Sequence, residues 1–324
     1  MTRPGGSVTL LTLIALLVSS QITWSQTLAY IANLGSSNVS VINTATNIVM
    51  ATIPLTAQPG GISASPDGTR VYIANEYANN ISVIDTRTNS VAATIQVGND
   101  PGAIAVSRDG SLVYVANIAD GTISIISAAS NKVTGTISGY NQPYFVAASP
   151  TNNLIYVANS PLGTVSVVNT STNTIIKTVT VGADPIQVAV SPDGSRVYTT
   201  NQMDNTVSVI DASTNNIIAT IHVGSRPYGE ALSPDGNFLY VGCSGEGTVM
   251  IIDAKTNQLI KLIKVGNTPI GISITADGTE VYVANDDSPG TVSVISTVTS
   301  SVVATVPVGL YPYSIGNFTI PGTP

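Results

Sequence analysis

The chain has 324 residues, a formal net charge of −7, and only 9% charged against 43% hydrophobic side chains. So few lysines and arginines argue against a nucleic-acid surface, whose phosphates need them. The single cysteine, Cys243, excludes an internal disulfide, and the single histidine, His222, leaves little material for a nucleophilic triad or a histidine-based metal site.

Residues 1–25 carry Arg3, an apolar run from Val8 to Val18 and a small residue at Ser25. That is the pattern of a secretory leader and not of a membrane span, so cleavage is expected after Ser25, giving a secreted or extracytoplasmic protein without a transmembrane segment. Residues 26–320 then form the folded domain and 321–324 a short tail. Within the domain, tyrosine recurs at 30, 72, 114, 156, 198, 240 and 282, each 42 residues after the last, in near-copies such as VYIAN and VYVAN. A strict period in seven copies means one supersecondary unit repeated.

The unit is legible from Pro185 to Gly224. Its apolar residues alternate in the short runs QVAV, RVYTT, TVSVI and IIATIHV, rich in Val, Ile, Tyr and Thr, which predicts four strands. Ser-Pro-Asp-Gly (Ser191 to Gly194) separates the first two; Pro sets φ and Gly tolerates positive φ, so this is a tight hairpin turn. Asp-x-x-Thr-Asn (Asp211 to Asn215) separates the last two, with short polar side chains able to bond their own backbone. No room is left for a crossover helix, and a four-stranded unit of roughly 40–45 residues is the size of a propeller blade. The first unit lacks an inner strand, while a surplus inner-strand equivalent follows the last repeat. The expected fold is therefore an all-β, seven-bladed β-propeller of four-stranded antiparallel blades, in which residues 313–320 complete the N-terminal blade and remove the exposed edges.

Tyr198-Thr199-Thr200-Asn201, with the flanking SPDG, VSVID and TNxxxATIxVG segments, resembles the YVTN-type β-propeller repeats of microbial surface-layer and cell-surface proteins along residues 27–320. Most copies read Tyr-Val/Ile-Ala-Asn, and the sixth, Tyr240-Val-Gly-Cys243, loses the Asn. The resemblance implies a fold and a cell-surface setting, not a reaction.

Candidate site residues come from differences between copies. The SPDG and TN turns share one face and vary little. Loops of the opposite face differ, as in Leu34 to Asn38, Glu76 to Asn80 and Asp286 to Gly290, and variable loops on a repeated scaffold form the expected binding face. The sharpest departure is Glu230, where other units have Ile62, Ile104, Val146, Val188 and Ile272. A carboxylate at an apolar position is costly unless paired or wet, and Arg226 or channel water would serve. Asp100, Gln142, Asp184, Thr268 and Tyr311 occupy positions at or beside the equivalent of Arg226, with Tyr144, Phe145, Tyr228 and Tyr313 among them. A polar and aromatic ring at the channel mouth is thus the expected small-ligand site. An internal ion pair or a solvated carboxylate is the other reading of Glu230.

No catalytic constellation, cofactor motif or dedicated metal site is expected, oxygen-only Ca²⁺ ligation at Asp286-Asp287 or around Glu230 being the one metal option. His222 falls on an outer strand as a surface residue, and Cys243 reads as an inert small residue. Three function classes follow: a non-enzymatic exported scaffold that binds a protein or glycan partner at the cell surface, a channel-mouth enzyme of lactonase or lyase type with Glu230 as base, or a structural surface-layer component.

Overall fold

The computed structural model describes residues 27–320; the leader, the cleavage point after Ser25 and the tail 321–324 lie outside the described residues. Seven four-stranded antiparallel sheets form the blades of a propeller, numbered here in chain order, and six of them run from inner to outer strand in sequence order. Blade 5 is representative, with strands Pro185–Val190, Arg196–Asn201, Thr206–Asp211 and Asn216–His222. Apart from the strands, the described residues hold only two single-turn 3₁₀ segments, Glu76–Ala78 and Ser160–Leu162. No helix among them is long and apolar enough to cross a membrane.

Local chemistry explains the repeat. In the first turn of blade 2, Ser65 donates from Oγ to Asp67 Oδ1 at 2.6 Å and accepts from the Arg70 amide at 3.0 Å, while Gly68 takes φ +68°. In the second turn of blade 5, Asp211 Oδ1 accepts from the Ser213 amide at 3.0 Å, and Asn215 closes the turn in the left-handed region at φ +56°. Hydrogen bonds from Ser213 and Thr214 hold the Asp211 carboxyl down at about 2.

The tetrapeptide has two packing roles. Its tyrosine is buried between blades, and at the ring junctions the hydroxyl reaches the left-handed turn Asn of the next blade: Tyr30 to Asn89 Oδ1 at 2.6 Å, and Tyr282 to Asn47 Oδ1 at 2.5 Å. Its asparagine is buried and donates from Nδ2 to a serine on the adjacent strand, as Asn33 does to Ser40 and Asn201 to Ser208, both at 2.9 Å. Blade 6 replaces both partners at once, with buried Cys243 and Met250 standing at the Asn and Ser positions. An apolar contact substitutes for the polar clasp, and burial pushes the Cys243 thiol up to about 11, which keeps it unreactive.

Ring closure takes the expected route with a different texture. Thr319–Ile320 pairs antiparallel with Leu28–Asn33 as the fourth strand of blade 1. The expected strand 313–320 is regular only there. Upstream, an isolated bridge joins Asn33 to Pro312, and the Tyr313 amide donates to the Ala32 carbonyl at 2.8 Å. Between them Gly316 has φ +124°, and the Ser314 hydroxyl accepts from the Ala32 amide at 2.8 Å in place of a backbone carbonyl. A positive φ breaks the pleat, and the serine satisfies the donor that the broken ladder leaves behind.

Candidate ligand-binding site

Each complete inner strand opens with proline, and the residue after it faces the axis at one level of the ring: Gly60, Gly102, Tyr144, Ile186, Tyr228 and Ile270, with Tyr313 after Pro312 in the closing segment. The three tyrosines converge. Tyr144 Oη and Tyr313 Oη are hydrogen-bonded at 2.6 Å, and the Tyr228 hydroxyl bonds to both. Edge-to-face contacts of the rings, with centroids 6.4 Å apart for Tyr144–Tyr228 and 6.2 Å for Tyr228–Tyr313, fix the arrangement. Burial drives the phenols of Tyr228 and Tyr313 well above the ordinary tyrosine range. The tyrosines partition the channel, for the cavities above and below them share no lining residue.

The upper cavity, about 730 Å³, opens on the loop face. It exists because blades 2 and 3 place Gly60 and Gly102 where the rest of the ring has Tyr or Ile. Space at Gly60 is taken instead by the Glu76 carboxyl, and part of the space at Gly102 by the Ile118 side chain. Glu76 is carried by the 3₁₀ turn Glu76–Ala78, which Asn79 ends in the left-handed conformation at φ +54°. Burial first, and the Asp100 carboxylate second, push the Glu76 carboxyl up to about 7. Asp100 is positioned in turn by its amide, which donates to Asn79 Oδ1 at 3.0 Å. Gln142, Ser160, Tyr144 and Tyr313 complete the polar wall, Ile118 and Ile315 supply apolar area, and no basic side chain lines the cavity.

Charge on this face is one-sided. Asp120, Asp184, Asp204, Glu246, Asp286 and Asp287 join Glu76 and Asp100 in its loops and links, against Arg226 and the strand-end Lys264, whose Nζ donates to the Glu246 carbonyl at 2.6 Å. Burial, with the neighbouring Asp287 adding to it, raises the Asp286 carboxyl to about 6. Among the described residues no group of three or more His, Cys, Asp or Glu side chains is placed to hold a metal ion.

The model of the YNCE-like beta-propeller family matches residues 103–195 and 140–300, together more than half of the chain. The chain belongs to the YNCE-like β-propeller family. A second model, the seven-bladed β-propeller lactonase family, matches residues 24–138. Among solved structures, hydrazine synthase from Kuenenia stuttgartiensis is 22% identical over 83% of this chain and 92% of its own, with a TM-score of 0.77. A functionally unknown protein from Desulfotomaculum acetoxidans is 17% identical over 89% and 97%, also at 0.77. The dihydro-heme d1 dehydrogenase NirN is 18% identical over 86% of this chain and 63% of its own, at 0.66. Identities this low carry the fold alone. No curated protein matches the chain.

In this YNCE-like propeller the residues singled out from sequence fall into separate places. Asp100, Gln142, Tyr144 and Tyr313 do meet, in the upper cavity. Tyr228 belongs to the tyrosine partition. Asp184 sits one blade on, accepting a hydrogen bond from the Ser160 hydroxyl. Arg226 is exposed on the loop face, its amide donating to Asn205 Oδ1 at 2.8 Å, whereas Glu230 is 1% exposed and lines the lower cavity. The expected Arg226–Glu230 pair is not formed; the one ion pair among the described residues is Arg87–Asp85 at 3.6 Å. The reason is backbone geometry. Arg226 adopts φ +52° immediately before Pro227, a left-handed conformation shared by its equivalents Asp100, Gln142, Asp184, Thr268 and Tyr311 at φ between +48° and +57°. The strand then bulges between Pro227 and Glu230, carrying the carboxylate below the partition. His222 is exposed on its outer strand. Glu76 was legible only as part of the variable loop Glu76 to Asn80; the further signal for its place in the cavity is glycine in place of bulk at 60 and 102.

Proposed function

We propose that this protein is an exported β-propeller acting as a binding scaffold at the cell surface, its acidic loop face taking a protein or glycan partner and its off-axis pocket receiving a small ligand or a protruding group of that partner. The observation that carries the reading is the pocket of about 730 Å³ beside Gly102, on which Glu76, Asp100, Gln142 and Tyr144 converge. The leader-like residues 1–25 and the YVTN-like tetrapeptide support the setting. A thermal-shift panel of mono- and oligosaccharides on residues 26–324 tests it, because a ligand of the native state raises the melting temperature. A hit lost in both Gly102→Val, which adds bulk against Ile118 in the pocket wall, and Glu76→Gln supports the proposal. A hit that both variants retain overturns the pocket assignment.

One observation favours a second reading, a hydrolase of the channel mouth. Glu76, held at about 7, has a carboxyl suited to give and take a proton at neutral pH, and it lies with Asp100 inside the segment similar to the lactonase family. Hydrolysis of simple lactones by the parent and none by Glu76→Gln would select this reading over the scaffold. No turnover by the parent would remove it.

A further inference from the structure

Beneath the tyrosine partition lies the second cavity, about 440 Å³, with Pro66 and Pro234 of the SPDG turns at its rim. Its wall combines apolar inner-strand residues, Ile104, Phe145, Val146 and Ile272 among them, with the polar Ser63, Ser273 and Asn317, and Glu230 is its one ionisable member. Both Glu230 carboxylate oxygens are buried, and neither makes a hydrogen bond of good geometry, the Ala189 amide being near enough only for a weaker pull. Gln187, on the inner strand of the preceding blade, lines the same cavity at 4% exposure. Its Nε2 donates to the Glu230 backbone carbonyl at 2.8 Å, which leaves its Oε1 as a further acceptor with no partner.

Buried polar atoms in folded proteins are nearly always satisfied, and an exception marks a place where something else supplies the partner. Here every unpartnered side-chain atom of the two residues is an oxygen. Once the carboxyl is ionised these oxygens only accept, and a group with several N–H donors and a positive charge is complementary to them. The volume and apolar wall exceed what a bare inorganic cation uses and suit a small hydrocarbon body. Burial pushes the Glu230 carboxyl well above the ordinary range, with a smaller opposing pull from the Ala189 amide, so an arriving cation is what would ionise it.

We propose that the lower channel is a second binding site, specific for a primary ammonium ligand with a short apolar body, whose –NH₃⁺ donates to Glu230 and Gln187 while its carbons rest on Phe145, Val146 and Ile272. The site is independent of the loop-face pocket, with which it shares no lining residue. Calorimetric titration of the protein at neutral pH with hexylammonium chloride, 1-hexanol and potassium chloride tests it, using the parent, Glu230→Gln, Glu230→Ile and Glu76→Gln. The isoleucine variant restores the residue type of the other blades and keeps the test valid if the amide variant folds poorly. Hexylammonium is expected to bind the parent at least about tenfold tighter than 1-hexanol, a difference of roughly 1.4 kcal/mol. Both Glu230 variants lose that preference and Glu76→Gln keeps it. The proposal is overturned if hexylammonium does not bind the parent, if 1-hexanol or potassium binds equally well, or if the preference survives both Glu230 substitutions. Loss in Glu76→Gln alone would also overturn it, by moving the ligand to the upper pocket.

Discussion

The two cavities on the propeller axis depart from the repeat in opposite ways. Above the tyrosine partition the departure is a subtraction: Gly60 and Gly102 remove bulk, and Glu76 enters from a loop into the vacated space. Below it the departure is an addition, a carboxylate set among Ile and Val without a partner. Subtraction leaves a group near water, so Glu76 stays close to neutral in its titration. Addition places the group 1% exposed among apolar side chains, and burial pushes the Glu230 carboxyl well above the ordinary range. In a repeat the symmetric positions provide the baseline, so each departure can be judged by what its six counterparts do.

The largest expected effect comes from removing the frame that both cavities share. Deleting residues 313–324 takes Tyr313 out of the partition and Thr319–Ile320 out of blade 1, so cooperative unfolding should be lost and aggregation appear. A single urea transition at the parent midpoint, followed by circular dichroism, would contradict the closure.

Next in size is Glu230→Ile, which should raise stability at neutral pH by on the order of 3 kcal/mol, because it removes a buried carboxyl with no partner. Its pH dependence has a definite sign. The folded state keeps a proton that the unfolded state has released, so the parent loses stability as pH rises above the ordinary carboxylate value, and the variant is spared that loss. Urea midpoints that fall equally with pH in parent and variant would show that Glu230 is not the group responsible.

Glu76→Gln sharpens the contrast with a smaller effect in a bounded window. With its carboxyl raised from 4.5 to about 7, the parent should lose stability between those pH values and no further from this group above them. The variant should flatten that window by on the order of 2 kcal/mol. A slope unchanged by the substitution would place the titration elsewhere.

Tyr144→Phe removes one hydroxyl from the partition and should cost about 1 kcal/mol without altering the fold, as read by thermal unfolding. A loss several times larger would mean that the hydroxyls, and not the ring packing, hold the two cavities apart. Smallest of all, His222→Gln should stay within about 0.5 kcal/mol in the same assay, since its side chain stands exposed on an outer strand.

The amino-acid sequence by itself determined the architecture: the 42-residue tyrosine period, the alternation within each run, the two turn motifs and the complementary ends specify blades, their number and their closure. All of these express local backbone preferences, the two-residue period of a strand and the φ that Pro, Gly, Asn or Asp favours in a turn. Glu230 was legible as a departure for the same reason, since its counterparts lie one period away along the chain. Only the tertiary structure decided what these residues face. Tyr144, Tyr228 and Tyr313 meet across the axis from separate blades, Glu76 fills a space left by Gly60, and Arg226 parts from Glu230 because a left-handed residue and a bulge intervene. A cavity is the volume that side chains from different blades fail to fill at one level of a ring, and no single copy of the repeat contains that sum.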